Sequence, residues 1–443
     1  MKVRFAPSPT GLLHAGNARV AVANALLARK HGGQFLLRLD DTDRPRSRPE
    51  YEQAIKQDLA WLGITWDEYA RQSDRLDRYF AAAERLKAAG RLYPCFESEE
   101  ELAYKREQRL RQGRPPIYDR EMLKLTPEQR ARAEAGGRVP YWRFKLSDGV
   151  VTWDDLVLAR REVKLSAVSD PVLLRADGTP LYTFTSSVDD LEDGVTHVVR
   201  GEDHVTNTGV QLDIMTALGA RPGTARFGHL PLLLAEDGGK LSKRTGSPTL
   251  RGLRQDGIEP EALLGYLARL GSPDPPEALP LATLAASFDL ARLSHAPPRF
   301  DGAQLLALNR RTLHDLPWET VRDRLPPGAT SVFWDAVRGN LDMLGEARGW
   351  WDVVAGSIVP PVMEGEEFYL RDALDLLPPE PWDADVWKSW TGALRERTGR
   401  KGRSLILPLR LALTGEDHGP ELRDLLPLIG RERAAERLRL AAS

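Results

Sequence analysis

At 443 residues, with 42% hydrophobic and 28% charged side chains, the chain is long enough for two to four domains and too ordinary in composition to be disordered or fibrous. A formal net charge of −2 excludes binding to nucleic acid through bulk charge, so a polyanionic partner would have to meet local basic surfaces. The single cysteine, Cys95, excludes an intramolecular disulfide and suits a reducing compartment, no apolar run reaches membrane-spanning length, and a strand that starts beside Met1 leaves no room for a signal peptide, so a cytoplasmic protein is expected.

Val3-Arg4-Phe5-Ala6 reads as a short buried strand. Residues 18–30 read as a helix, with Val20, Ala23, Leu26 and Leu27 at helical spacing and Gly32-Gly33 as the stop. Gln34-Phe35-Leu36-Leu37-Arg38-Leu39 reads as the next strand and ends in Asp40-Asp41-Thr42-Asp43. The junction between the first strand and the helix is Pro7-Ser8-Pro9-Thr10-Gly11-Leu12-Leu13-His14-Ala15-Gly16-Asn17. A small-residue turn at this point of a βαβ unit sets backbone N–H groups and a helix N-terminus against an anion, with His14 and Asn17 adding side-chain donors. A βαβ start that binds no nucleotide is the other reading of these residues taken alone.

Residues 50–62, with Tyr51, Ile55, Leu59 and Leu62 near one face, and residues 79–89, closed by Gly90, read as helices covering the first half of a parallel sheet. Composition shifts near Tyr93. Residues 97–138 are charged and helical in pattern, with Lys105, Arg106, Arg109, Arg111, Arg114, Arg120, Arg130 and Arg132 forming either a solvated face or a phosphate-meeting surface. Residues 141–146, 150–158 and 170–175 read as strands; Asp177-Gly178 reads as a hairpin turn and Leu181-Tyr182-Thr183-Phe184 as the returning strand. Val195-Thr196-His197-Val198-Val199 reads as a buried strand ending in Arg200-Gly201-Glu202-Asp203-His204, at the carboxyl end where α/β sheets bind ligands, unless it is an ordinary polar strand end.

A helix over 211–218 and a strand over 229–234 follow. Gly238-Gly239 then precedes the basic run Lys240-Leu241-Ser242-Lys243-Arg244. Such a loop is either merely solvated or able to deliver charge to a phosphate as a transition state forms. A helix opened by Pro260 runs through Leu263, Leu264 and Leu267 to Gly271; after a Pro-rich loop at 272–280, Phe300-Asp301 starts another through Leu305, Leu306 and Leu308. From 312 to 443 the pattern is helical, broken at Pro326-Pro327, Pro360-Pro361 and Pro378-Pro379, with no good strand alternation.

The stretch 7–17, with its flanks Arg4-Phe5-Ala6 and Arg38-Leu39-Asp40-Asp41-Thr42-Asp43, resembles the HIGH signature of class I aminoacyl-tRNA synthetases as it occurs in glutamyl-tRNA synthetases. Lys240-Leu241-Ser242-Lys243-Arg244 resembles the KMSKS signature in its KLSKR form, in the family's order and at a similar separation. The segment from Gly399 through Leu407-Pro408-Leu409-Arg410 to Leu413-Thr414-Gly415 resembles the last part of bacterial glutamyl enzymes. The likeness spans essentially the whole chain, strongly to about Asn309 and more weakly from there to Gly399.

This resemblance implies an α/β fold: a Rossmann-type catalytic domain with an α+β insertion, then an all-α anticodon-binding region. The implied divisions are 1–92 and 187–236 for the two halves of the catalytic domain, 93–186 for the acceptor-binding insertion, 237–311 for the KMSKS loop and stem-contact helices, and 312–443 for anticodon binding. It implies glutamate activation by ATP with Mg2+, then transfer to the 3′-terminal adenosine of tRNA(Glu), by a monomeric enzyme. His14, Gly16 and Asn17 would hold ATP, with Lys240, Ser242 and Lys243 on its phosphates; His14, Lys240 and Lys243 would be the catalytic groups. Arg4, Ala6, Ser8, Asp40, Tyr182, Ser186 and Arg200 would form the glutamate pocket, arginine suiting a carboxylate because its fork can bind both oxygens. Asp40 stands where the family often has Glu, and Ser186 where some relatives have Asn. Some members carry zinc in the insertion. With one Cys and no His between His31 and His197, a Cys-rich site is excluded by counting, and no metal is expected.

Three neighbouring activities compete. Glutaminyl enzymes share the catalytic signatures but have a β-barrel anticodon region, against the helical pattern here. A truncated relative that glutamylates a modified base in tRNA lacks the anticodon region. A non-catalytic tRNA-binding paralogue would have no reason to keep His14, Lys240 and Lys243. The basic cluster Arg395, Arg397, Arg400, Lys401, Arg403 and Arg410 belongs either to a solvated bundle or to an anticodon surface. Residues 337–349 match too poorly to carry over an anticodon-reading arginine, and near Gly339-Asn340 no arginine is seen where one is most expected, which tilts the expectation toward charging tRNA(Gln) as well.

Overall fold

Five short parallel strands, four of them largely buried and one edge strand half charged, make the sheet on which the first half of the molecule is built. The computed structural model describes residues 1–239, 248–382 and 385–443. The chain divides into two units, residues 1–253 with 263–302, and residues 254–262 with 303–443. It runs β1 (Lys2–Phe5), α1 (Ala15–Lys30), β2 (Gln34–Leu39), α2 (Pro49–Trp61), β3 (Glu68–Arg71), α3 (Leu76–Ala88), β4 (Leu92–Cys95), α4 (Glu99–Arg111), α5 (Pro127–Ala135), β5 (Tyr141–Phe144), β6 (Val150–Asp155), β7 (Ala159–Lys164), β8 (Val172–Leu174), α6 (Tyr182–Glu192), β9 (His197–Gly201), α7 (Val205–Ala217) and β10 (Arg226–Leu230). The helices α8 (Leu250–Gln255), α9 (Pro260–Arg269) and α10 (Leu281–Ser287) follow.

The main sheet has the order β10-β9-β1-β2-β3 and is parallel throughout, with Val3 opposite Phe35 and Val198 opposite Phe227. The chain builds outward from β1 through β2 to β3, then returns to lay β9 and β10 on the other side. The strand order therefore reverses between β1 and β9, and a crevice opens at their carboxyl ends, beside Phe5 and Gly201. A second sheet, β4-β5-β8, is antiparallel, and β6 and β7 pair as a hairpin. Helix α7 packs against this hairpin so closely that a Cβ at Gly209 would lie 2.6 Å from Val163 Cβ. Gly209→Ala is therefore expected to be destabilising in spite of alanine's better helix propensity, by about 1–3 kcal/mol from overpacking. The check is the thermal unfolding midpoint; an unchanged midpoint would mean that β7 yields.

Several elements differ from the sequence expectation. Residues 181–184 do not return as a strand; Tyr182 opens α6. Phe184 and Val188 reach the core at i, i+4 spacing, and this packing overrides the β-propensity of Tyr-Thr-Phe-Thr, while Ser186 and Ser187 bond back to the carbonyls of Tyr182 and Thr183 at 2.6 and 2.7 Å. The strand expected at 229–234 ends at Leu230, because Pro231 has no N–H for the ladder. Three strands, β3, β4 and β7, differ from the sequence expectation: β4 carries Pro94 and lies at a sheet edge, β3 is half charged and β7 mostly charged.

The second unit contains α11 (Gly302–Asp315, from Ala303), α12 (Trp318–Val321), α13 (Ser331–Val337), α14 (Ala347–Ala355), α15 (Glu367–Asp375), α16 (Val386–Thr398), α17 (Arg403–Thr414), α18 (Leu422–Ile429) and α19 (Arg431–Ala441), and no strand among its described residues. Its core centres on Phe333, Trp334, Leu370, Trp390, Leu409 and Leu426. Arg437 is buried and donates to the carbonyls of Leu413, Val353 and Gly356, so one cation satisfies the C-terminal ends of α14 and α17. Pro326-Pro327, Pro360-Pro361 and Pro378-Pro379 fall between helices, whereas Pro408 and Pro427 lie inside α17 and α18. Arg338 directly precedes Gly339-Asn340 and pairs with Asp335 at 3.2 Å.

Candidate active site

The crevice at the carboxyl ends of β1 and β9 holds a cleft of about 880 Å3 and an adjoining pocket of about 290 Å3. Ala6, Pro7, His14, Asn17, Tyr182 and His204 line both. The loop after β1 is held over the sheet by Asp40 N donating to the carbonyl of Pro7 at 3.1 Å and Arg48 N to that of Pro9 at 3.0 Å. His14 is the N-cap of α1: its Nδ1 accepts from Gly16 N at 3.1 Å and Asn17 N at 3.3 Å. A ring nitrogen that accepts carries no proton, so Nε2 is the donor of the neutral imidazole. Ala15 N donates to the carbonyl of Pro248 at 3.1 Å, and Ala18 N to that of His14. The first amides of α1 are thus satisfied within the protein rather than left for an anion. What this junction brings to the cleft is side chains and the helix dipole. Leu250 N also donates to the carbonyl of Leu13, so residues 248–250, directly after the basic run, are tied to the His14 segment.

Beneath this loop lies a buried charge cluster. Arg4 spans Asp190 with Nε at 3.2 Å from Oδ1 and Nη2 at 3.4 Å from Oδ2. Arg38 donates to the same Asp190 Oδ1 at 2.7 Å and to Asp40 Oδ1 at 2.8 Å. Asp189 completes the cluster, 3.6 Å from Arg38 and accepting from Tyr79 and Gln72. Burial lifts the Asp40 carboxyl to about 6 even though Arg38 pulls it down. For Asp190, burial acts the same way but is outweighed by Arg4 and Arg38, and its pKa falls below the usual carboxylate range.

Arg200 is placed differently. It is 5% exposed at the end of β9, and every group that binds it is neutral. Nη1 donates to Tyr182 Oη at 3.2 Å, and Nη2 to Thr208 Oγ1 and Gln211 Oε1, both at 2.6 Å. No carboxylate of the described residues lies within 4.0 Å of it. Burial lowers its pKa, with the Arg4 charge adding to that effect. A buried guanidinium without a counter-ion is costly, and an incoming carboxylate would remove that cost.

The smaller pocket is lined by Arg4, Arg200, Gly16 and Asn17 among others, and the larger cleft by Ser8, Asp40 and Thr42. Ala6, His14 and Tyr182 face both, so most of the expected pocket residues are brought together. Ser186 is the exception. It is wholly buried and lines neither cavity; its hydroxyl donates to the Tyr182 carbonyl and accepts from Gln211 Nε2. Its contact with the site is therefore indirect, through Gln211 to Arg200. Lys240, Ser242 and Lys243 lie outside the described residues. Cys95 has its thiol pushed up to about 12 by burial, which makes it a poor nucleophile.

Sequence reasoning missed Thr208, Gln211 and His204. They lie at i, i+4 and i+7 from 204, along one face of a helix that begins at Val205 and not, as expected, at Gln211. Starting that helix directly after the polar strand end would have exposed the pattern. His204 packs its ring, tilted by 53°, 5.4 Å from that of Tyr182 and has its pKa lowered to about 4 by burial and by Arg200.

Residues 1–307 match the family described as tRNA synthetases class I (E and Q), catalytic domain, and residues 364–442 match an anticodon binding domain. The chain is 66% identical to glutamate–tRNA ligase 2 of Gluconacetobacter diazotrophicus and 67% identical to that of Acidiphilium cryptum, each over 442 residues covering 100% of both chains. Its fold is similar to that of a glutamate tRNA ligase from Elizabethkingia meningosepticum, solved in complex with its amino acid, with a TM-score of 0.88 and 26% identity over 100% of this chain and 99% of that one. A parallel sheet with its crevice at the β1–β9 switch and similarity over the full length agree: the chain belongs to the glutamyl-tRNA synthetase family of class I aminoacyl-tRNA synthetases.

Proposed function

We infer that this chain is a glutamate–tRNA ligase, taking L-glutamate, ATP as its magnesium complex, and tRNA. An α-carboxylate oxygen of glutamate attacks the α-phosphorus of ATP, and the bond to pyrophosphate breaks. The terminal adenosine 2′-hydroxyl of tRNA(Glu) then attacks the acyl carbon, and AMP leaves. Neither step requires a covalent enzyme intermediate; positioning and charge stabilisation suffice. The observation that carries this reading is Arg200, a buried cation held only by neutral acceptors at the wall of the pocket. It supports binding of the glutamate side-chain carboxylate, with Arg4 Nη1, which has no hydrogen-bond partner among the described residues, as a second donor.

The remaining roles follow the same pocket. Asp40 would take the α-ammonium group, Tyr182 would close one side, and Ala6 and Ser8 would line the rest. His14, Gly16 and Asn17 would seat ATP, while Lys240, Ser242 and Lys243 would meet its phosphates and Lys243 in particular the developing charge. The acceptor end of tRNA would meet residues 93–186 and the anticodon residues 312–443, the protein acting as a cytoplasmic monomer. The second unit, with no strand among its described residues, favours this reading over a glutaminyl enzyme with its β-barrel. Aminoacylation with labelled glutamate on purified tRNA(Glu) and tRNA(Gln) in parallel tests it. Charging of the first alone marks a discriminating enzyme, and charging of both a relaxed one. Charging of neither would overturn the reading in favour of modified-base glutamylation or a non-catalytic role.

The pH dependence follows from Asp40. An ammonium group binds its ionised form, and burial sets its pKa at about 6. Lowering the pH from 7 to 5 is therefore expected to raise KM for glutamate, approaching tenfold per pH unit below about 6. Asp40→Asn is expected to start from a high KM and to lose this dependence, as measured by ATP–pyrophosphate exchange with tRNA(Glu) present.

A further inference from the structure

Behind Arg200 stands a chain of buried groups that lines neither cavity. Asp155, at the end of β6, reaches across to His229 on β10: its Oδ2 lies 2.5 Å from His229 Nδ1, and both side chains are wholly buried. Asp155 also accepts from the indole of Trp153 at 3.1 Å and, at 3.0 Å each, from the backbone amides of His229, Val157 and Leu158. A carboxylate with this many donors stays ionised and can only accept, so His229 Nδ1 carries the ring proton and Nε2 is a lone pair. That lone pair sits 2.9 Å from Thr208 Oγ1 and 3.5 Å from Arg200 Nε. Thr208 Oγ1 has two acceptors in reach, Nε2 at 2.9 Å and the His204 carbonyl at 3.2 Å; its one proton goes to the nearer, the bare Nε2, and its oxygen accepts from Arg200 Nη2 at 2.6 Å.

We propose that Asp155, His229 and Thr208 are positioning residues for Arg200, a relay that fixes the guanidinium by lone pairs while keeping the Asp155 carboxylate one imidazole away. The relay rests on the glutamate-activating reading and adds the means by which the pocket stays selective for an anion. A carboxylate in direct contact would neutralise Arg200, as Asp190 does Arg4, and weaken its hold on a substrate carboxylate. An imidazole of the opposite tautomer would aim an N–H at the guanidinium and expel it from its place.

Three variants and one spectrum test this. Exchange of pyrophosphate into ATP, with tRNA(Glu) present, is measured for Thr208→Val, Thr208→Ser and Asp155→Asn. Losing one hydrogen bond to the charged guanidinium is expected to raise KM for glutamate about tenfold in Thr208→Val, with kcat and KM for ATP within about twofold, and Thr208→Ser is expected to restore KM. In 15N-histidine spectra of the unmodified protein, His229 is expected to be protonated on Nδ1 and bare on Nε2, and Asp155→Asn to reverse this. The relay is overturned by an unchanged KM in Thr208→Val, by losses that serine does not restore, or by a protonated Nε2 in the unmodified protein. The spectrum decides even if a variant fails to fold. If the unmodified enzyme activates no glutamate, it is the functional reading that fails.

Discussion

Arg200→Ala is expected to raise KM for glutamate about a hundredfold or more in pyrophosphate exchange, while KM for ATP stays within a few-fold. The reasoning is electrostatic. Truncating one side of a buried charged contact loses about 2–5 kcal/mol of binding. Arg200→Lys should recover little of it, since an ammonium cannot span both oxygens of a carboxylate or reach Tyr182, Thr208 and Gln211 together. The same substitution should leave thermal stability unchanged or raise it, because in the unliganded protein Arg200 is a desolvated cation without a counter-ion. An unchanged KM would remove Arg200 from the pocket. A large loss of stability would mean that its neutral partners more than offset the cost of burial.

Asp190→Ala is expected to have the opposite balance, costing about 3–5 kcal/mol of stability. Two buried guanidinium groups share this carboxylate: Arg4 through both of its oxygens, and Arg38 at 2.7 Å. Arg38 would keep Asp40 and Asp189, but Arg4 would lose its only carboxylate partner among the described residues. The loss should show in urea and thermal unfolding, and Asp190→Asn should fall between the alanine variant and the natural chain. A change below about 1 kcal/mol, the scale of an exposed ion pair, would mean that water reaches the cluster. Comparing these two substitutions separates an arginine held for the fold from one held for a ligand, although both lie at the ends of neighbouring strands.

Much of this was legible from residue order alone. The βαβ start, the stop at Gly32-Gly33 and the polar end of β9 follow local rules of spacing, turn chemistry and burial, and the structure has them with shifts of a few residues. At residues 181–184 and at the start of α1, a contact distant in sequence decided the outcome. Tyr-Thr-Phe-Thr is locally a strand, but Phe184 packs 6.4 Å from the ring of Tyr79, and that face selects a helix. The amides of α1 looked open to an anion because the sequence gives no sign that the His14 ring would turn back onto them or that Pro248 would supply a carbonyl.

The sequence by itself determined the family, the parallel sheet and helical second unit, and the types of residue at the site, because motif spacing and apolar periodicity are properties of neighbours along the chain. Only the tertiary structure decided which charges compensate one another. Arg4, Arg38 and Arg200 are the same residue type at three strand ends, yet two are held by carboxylates brought from α6 and one by hydroxyls and an amide from α6 and α7. The same holds for Asp155 and His229, 74 residues apart and 2.5 Å from each other. Coulomb energies and desolvation depend on distance in space and on the exclusion of water, and both are set only when helices and strands distant in sequence are packed together.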